Sequence, residues 1–216
     1  MTQGEAGCEL YLVVETGEAS AARLSAALDA ASIATVLIRA SDGRSLDPSD
    51  AMPLVGLARR AGVAALVAGD PTLVRATGAD GVHLGAGGLA AYRAARGTLG
   101  DEKIIGMDPG ISRHDAMTIA EAGADYIAFG APAHLNDRDK GRDRRNDLVA
   151  WWAEIFQVPC VAFDVETPQE AEALARNGAD FVAVTLNAGL TAGDARNRVA
   201  EFFAALRSVA SEQACA

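Results

Sequence analysis

Short apolar runs recur along the chain, each separated from the next by a stretch in which apolar residues return every three or four positions. The runs are ELYLVVE (9–15), IATVLIRA (33–40), AALVAG (64–69), GVHLG (81–85), KIIGM (103–107), YIAFG (126–130), PCVAF (159–163) and FVAVTL (181–186). Helical periodicity occupies 21–31, 50–61, 71–77, 89–99, 115–123, 147–157, 169–178 and 194–210. Near-continuous apolar strands imply burial on both faces, and their alternation with amphipathic helices implies a parallel sheet. Eight such units in this length close most economically into an α/β fold, a (β/α)8 TIM barrel. An open doubly wound sheet is the alternative. No Gly/Ser- or Pro-rich linker divides the chain, so one domain is expected over 1–216, with the ordered barrel at about 9–210 and short tails.

Three stretches repeat one grammar: TGADGVHLGAGG (77–88), AGADYIAFGAPA (122–133) and NGADFVAVTLNA (177–188). Each reads as the end of a helix, a glycine cap in the left-handed conformation, a tight turn and a buried strand. The third copy loses the glycines that follow the strand in the first two.

Composition narrows the partners. The 29 acidic and 19 basic residues give a net charge of −10, so no general attraction for nucleic acid or an anionic membrane is expected. Aromatic residues make up 5% of the chain, so the core must rest on Ala, Val, Leu and Ile. Cys8, Cys160 and Cys215 show no metal-ligand spacing and read as reduced thiols. The N-terminal residues have no apolar signal-like segment and no run reaches membrane-span length, which points to a cytoplasmic protein. Trp151 and Trp152 cannot both face one core. One of them either marks a contact surface, as in a homo-oligomer, or packs under the preceding loop.

In a barrel the chemistry belongs on the loops that follow the strands. Arg39 ends an otherwise apolar strand, where a guanidinium suits a phosphate or carboxylate or else pairs with a carboxylate at the rim; Ser41 follows it. Asp70, before Pro71, is either a helix cap or a hard ligand for Mg²⁺. His83 lies inside a strand, where packing is the commoner role than catalysis. Asp108, before Pro109, serves a turn or the site. Residues 131–147, with Arg138, Lys140, Arg142, Arg144 and Arg145 among Asp137, Asp139, Asp143 and Asp147, read as a long charged loop. It is either solvated or a lid that brings Lys140 or an arginine over an anionic ligand. Barrels that hold phosphate use glycine-rich loops after strands seven and eight. Here strand seven ends in Asp164 and Glu166, and only Asn187, Gly189 and Gly193 after strand eight could form an anion nest.

The ordered set ELYLVVET, ATVLIRASD, GADGVHLG, KIIGMD, GADYIAFG and VPCVAF…GADFVAV resembles thiamine-phosphate synthase and its thiazole-tautomerase relatives over about residues 9–190. The resemblance implies a (β/α)8 barrel and capture, by the nitrogen of thiazole phosphate, of a pyrimidine carbocation formed by loss of Mg²⁺-bound diphosphate. It implies Arg39 as the strand-two arginine, with Ser41 at a lysine position. Asp70 falls on one metal aspartate, and Gly88 stands at the second. Asp108 falls on the strand-five serine and Gly130 on the strand-six glycine. Lys140 is the remnant of the sixth-loop lysine, and Asp164-Val165 replaces a Gly-Gly pair. The tautomerase relatives place a catalytic histidine at the position of Ala131, with His134 three residues on. The readings carried forward are a synthase using Arg39, Asp70 and Lys140; a repurposed enzyme in which Asp70, Asp108, Asp164 and Glu166 form an acidic mouth for a neutral or cationic substrate, with His134 as acid or base; and a non-catalytic small-molecule binder. Asn187, Ser41 and Gly130 are expected to touch the substrate.

Overall fold

The computed structural model describes residues 7–41, 44–85, 87–131 and 137–214. Eight parallel strands alternate with eight helices in the order β1 (Glu9–Glu15), α1 (Ser20–Leu28), β2 (Thr35–Arg39), α2 (Pro48–Arg60), β3 (Ala64–Ala68), α3 (Thr72–Thr77), β4 (Gly81–Leu84), α4 (Gly88–Leu99), β5 (Ile104–Met107), α5 (Arg113–Glu121), β6 (Tyr126–Phe129), α6 (Arg138–Ile155), β7 (Cys160–Ala162), α7 (Pro168–Arg176), β8 (Phe181–Leu186) and α8 (Ala192–Gln213). Each strand pairs with its successor, and β1 pairs with β8 from Glu9↔Phe181 to Val14↔Leu186, so the sheet closes. The expected barrel is present.

Strand alternation divides the core into two parts. Leu10, Leu12 and Val14 of β1 belong to the large cluster beneath the helices, whereas Tyr11 and Val13 join Leu37, Leu66, Tyr126, Ala128, Val161 and Ala183 in the interior. Polar atoms inside the barrel must find partners there. Tyr11 Oη and Tyr126 Oη are 2.8 Å apart, and Tyr126 Oη lies 2.9 Å from His83 Nδ1. The His83 ring also stacks on Phe163 at 5.0 Å. His83 is thus a packed, hydrogen-bonded residue whose other edge reaches the C-terminal mouth.

The Gly-Ala-Asp repeat has a structural explanation. Gly78, Gly123 and Gly178 have φ of 72°, 99° and 89°, the left-handed turn that a β-carbon disfavours. Ala79, Ala124 and Ala179 are buried beneath the turn. Each aspartate then reaches back to the preceding strand. Asp80 Oδ2 accepts from Ala65 N (2.9 Å), Asp125 Oδ2 from Ile105 N (2.8 Å) and Asp180 Oδ2 from Cys160 N (2.8 Å). The motif therefore pins β4 to β3, β6 to β5 and β8 to β7 at the N-terminal end of the barrel, the face associated with stability. Its Asp position before β2 is Ala34, which has no carboxylate to offer.

One expectation is corrected. The charged stretch is a loop only in part, because α6 begins at Arg138, well before the predicted start at 147. Asp137 caps it by accepting from Lys140 N, and the pairs Lys140–Asp137 and Arg142–Asp139 support its first turn. These turns are held by charge rather than by an apolar face, so hydrophobic periodicity does not reveal them. Trp152 is buried and donates to Val158 O (2.7 Å), while half-buried Trp151 lies under the Arg113 guanidinium. No helix among the described residues is long and apolar enough to cross a membrane.

Candidate active site

A cavity of about 520 Å³ opens at the C-terminal ends of β2, β3 and β4, lined by Arg39, Arg44, Gly69, Asp70 and His83, with Phe163 reaching in from the end of β7. Arg39 Nη2 bonds Glu15 Oε1 at 2.9 Å, and the other oxygen of Glu15 accepts from Ala188 N at 3.1 Å. The rim ion pair foreseen for Arg39 is therefore real. The Arg39 side chain, which lines the cavity, nonetheless keeps 38% of its surface exposed. Arg44 Nη2 reaches Ser41 Oγ at 3.3 Å, so Ser41 sits beside the cavity under a second guanidinium. Asp70 Oδ1 accepts from Thr72 N at 2.8 Å. This contact closes the turn ahead of α3, whose N-cap residue is Pro71, and it does not engage the second carboxylate oxygen. Burial, with Arg39 nearby, lowers the His83 pKa to about 4, so the ring is neutral at ordinary pH.

Two fully buried arginines shape the mouth. Arg23 donates to the carbonyls of Glu15, Glu18 and Ala188, tying the loops after β1 and β8 together. Arg145 donates to the carbonyls of Phe163 (3.2 Å) and Asp164 (2.9 Å), where Asp164 takes a left-handed φ of 58°. That clasp holds the Phe163 ring against His83. Sequence reasoning missed Arg23, Arg44 and the positioning role of Arg145. A signal existed for two of them in helical spacing: Arg23 falls on the same face as Ala27 on α1, and Arg145 on the same face as Leu148 and Val149 on α6.

The remaining expected residues are scattered. Lys140 is on the first turn of α6 with 82% of its side chain exposed, paired to Asp137, and it does not line the cavity. His134 lies outside the described residues. Asn187 closes its own turn by accepting from Gly189 N. The four-carboxylate mouth does not form as expected, because Glu166 is bound by Arg138 and Arg142. Asp108 and Asp164 do face one another electrostatically. Burial and then Asp164 raise the Asp108 pKa to about 6, against an opposing hydrogen bond from Gly110 N. Gly130, at the end of β6, lies against the Asp164 carboxylate.

The Asp108 environment has a measurable consequence. Its folded pKa lies above the unfolded carboxylate value, so its stabilising contribution is complete below about pH 4 and is lost as pH rises through about 6. Asp108→Asn removes that loss while keeping an acceptor for Gly110 N. Urea unfolding should show the variant more stable by about 2 kcal/mol at pH 7.5 and unchanged at pH 4. Equal effects at both pH values would contradict the buried, protonatable carboxyl.

The family model for thiamine monophosphate synthase matches residues 10–187. The thiamine-phosphate synthase of Rhodospirillum centenum is 37% identical over 185 residues, covering 82% of this chain and 87% of that protein. The thiamine-phosphate synthase of Erythrobacter litoralis is 40% identical over 154 residues, covering 70% of this chain and 71% of that protein. Among solved structures, thiamine phosphate pyrophosphorylase from Pyrococcus furiosus superposes with a TM-score of 0.70 at 21% identity, covering 93% of this chain and 96% of that one. Tryptophan synthase from Mycobacterium tuberculosis reaches 0.75 at 15% identity, with 94% and 93% covered, a likeness of fold alone. With the family model matching residues 10–187, almost the whole barrel, the chain belongs to the thiamine monophosphate synthase family.

Proposed function

We propose that this protein carries out the family's alkylation, joining hydroxymethylpyrimidine diphosphate to a thiazole acceptor. The observation that carries this reading is the cavity at β2–β4, where two guanidinium groups, Arg39 and Arg44, face an aromatic wall of His83 and Phe163. The guanidinium groups suit a diphosphate, because their fixed donors match its oxygens. The neutral, stacked His83–Phe163 pair suits a heteroaromatic ring. In the reaction the bond between the pyrimidine methylene carbon and the diphosphate oxygen breaks, and its electron pair leaves with the diphosphate. The thiazole nitrogen lone pair then forms the new C–N bond, giving a thiazolium cation with no proton transfer. Arg39 and Arg44 contribute by stabilising the charge that develops on the departing diphosphate.

Asp70 is the residue we assign to Mg²⁺. The described residues contain no cluster of three or more metal-ligating side chains, so they offer no preformed cage. A single carboxylate at the cavity lip still fits this ion, which commonly takes one or two protein carboxylates together with substrate phosphates and water. When bound, Mg²⁺ would offset charge on the leaving diphosphate. We place the reaction in the cytoplasm, with free Cys8 and Cys160 in keeping with a reducing compartment.

A single-turnover assay with Mg²⁺, the pyrimidine diphosphate and a thiazole acceptor tests this reading. The wild type should form the coupled product, and Asp70→Ala should slow it by about 10²-fold, the cost of losing one charge-stabilising contact. Product formation indifferent to Asp70→Ala would remove Asp70 from the site.

A further inference from the structure

In the half of the mouth formed by the ends of β6, β7 and β8, four backbone donors among the described residues are already taken. A barrel holds a phosphate there with bare N–H groups. In this chain Ala131 N–H donates to Asp164 Oδ2 (3.0 Å), Glu166 N–H to Glu170 Oε2 (2.9 Å), Ala188 N–H to Glu15 Oε2 (3.1 Å) and Gly189 N–H to Asn187 Oδ1 (3.1 Å). Three of the four acceptors are carboxylates, so the donors are occupied and the surface around them is negative. Three arginines of this side are committed to protein partners, while Arg198 donates to Val165 O at 3.4 Å. Arg138 and Arg142 bind Glu166, Arg142 also binds Glu170, and buried Arg145 is spent on the carbonyls of Phe163 and Asp164.

Asp164 is the centre of this arrangement. Its carboxylate lies so close to the end of β6 that a β-carbon on Gly130 would meet Oδ2 at 2.7 Å. Its own backbone is left-handed, a conformation favouring glycine, and is held there by Arg145. A phosphate monoester brings about two negative charges near neutral pH and needs donors. Here it would meet an internal carboxylate already seated on the donor.

We infer that Asp164 is a specificity residue that excludes a phosphate-bearing acceptor, so that the protein couples the pyrimidine to the unphosphorylated thiazole alcohol in preference to thiazole phosphate. This rests on the reaction proposed above and changes only its acceptor. Asp164→Gly frees Ala131 N–H, removes the charge and suits the left-handed backbone. Asp164→Asn keeps an acceptor for Ala131 N–H and removes the charge alone.

The test offers both acceptors in equal amount to the full chain with Mg²⁺ and the pyrimidine diphosphate, and reads thiamine against thiamine phosphate by mass. Calorimetric titration of each acceptor without the donor is run in parallel, with thermal melting to confirm that each variant is folded. The wild type should favour the alcohol at least tenfold. Asp164→Gly should shift the ratio at least tenfold toward the phosphate, with Asp164→Asn between them. A wild-type preference for the phosphate, or a ratio unmoved in both folded variants, overturns the inference while product formation leaves the proposed reaction standing. If neither acceptor is turned over but the alcohol binds preferentially and the phosphate gains in Asp164→Gly, the inference stands and the proposed reaction fails. If neither acceptor binds, both fall.

Discussion

Gly106→Ala should be among the most destabilising single substitutions in the barrel. A β-carbon at Gly106 would lie 1.8 Å from Cζ of Tyr126, with two other ring carbons at 2.1 and 2.3 Å. Gly106 and Tyr126 are register partners on β5 and β6, and the ring crosses over the glycine into the interior. It cannot move away cheaply, because its hydroxyl is held between Tyr11 and His83. Displacing it combines overpacking, about 1–3 kcal/mol, with buried polar groups left unpaired, about 1–3 kcal/mol each. A loss of about 4 kcal/mol is expected, a large share of a typical folding free energy, lowering Tm by on the order of 10 °C in a chain of this size. Urea unfolding measures it. Gly97→Ala on α4 is the control, since a β-carbon there meets nothing within 4 Å. Pairing Gly106→Ala with Tyr126→Val should cost less than the sum of the two single changes, because the clash and the interrupted hydrogen-bond chain are shared. Additive losses would show that the ring is not what Gly106 accommodates.

The strands were legible because each is an apolar run bounded by turn residues, and eight of them in alternation with helices leave few ways to close a sheet. The Gly-Ala-Asp repeat gave the turns, but not the reason for its aspartates, since the bond that Cys160 N–H donates to Asp180 links residues twenty apart. The first turns of α6 were missed because charge pairs, not an apolar stripe, hold them. Within the site, Arg39 and Asp70 could be found by asking what ends β2 and β3. The occupation of the Ala131 donor by Asp164 could not, because it joins the ends of two different strands. Glu166 showed the converse error: counted as part of an acidic mouth, it is neutralised by arginines a helix away in sequence.

Arg39→Gln should produce the largest loss of activity, about 10²- to 10³-fold in the rate of coupling, the range seen when a donor to a developing anion is removed. Glutamine retains a polar group near Glu15 but supplies no charge, and Glu15 keeps its bond from Ala188 N. The fold should therefore survive, with a melting temperature within a few degrees of wild type. A comparable loss of stability would instead mark Arg39 as a structural member of the Glu15 pair and not a ligand for the diphosphate.

The measurement that bears most directly on the site is calorimetric titration of inorganic diphosphate with Mg²⁺ into the wild type and the Arg39→Gln variant. Saturable, Mg²⁺-dependent binding to the wild type is expected, weakened at least tenfold in the variant. No binding to the wild type, or equal binding to both proteins, would contradict the assignment of the β2–β4 cavity as the seat of the diphosphate.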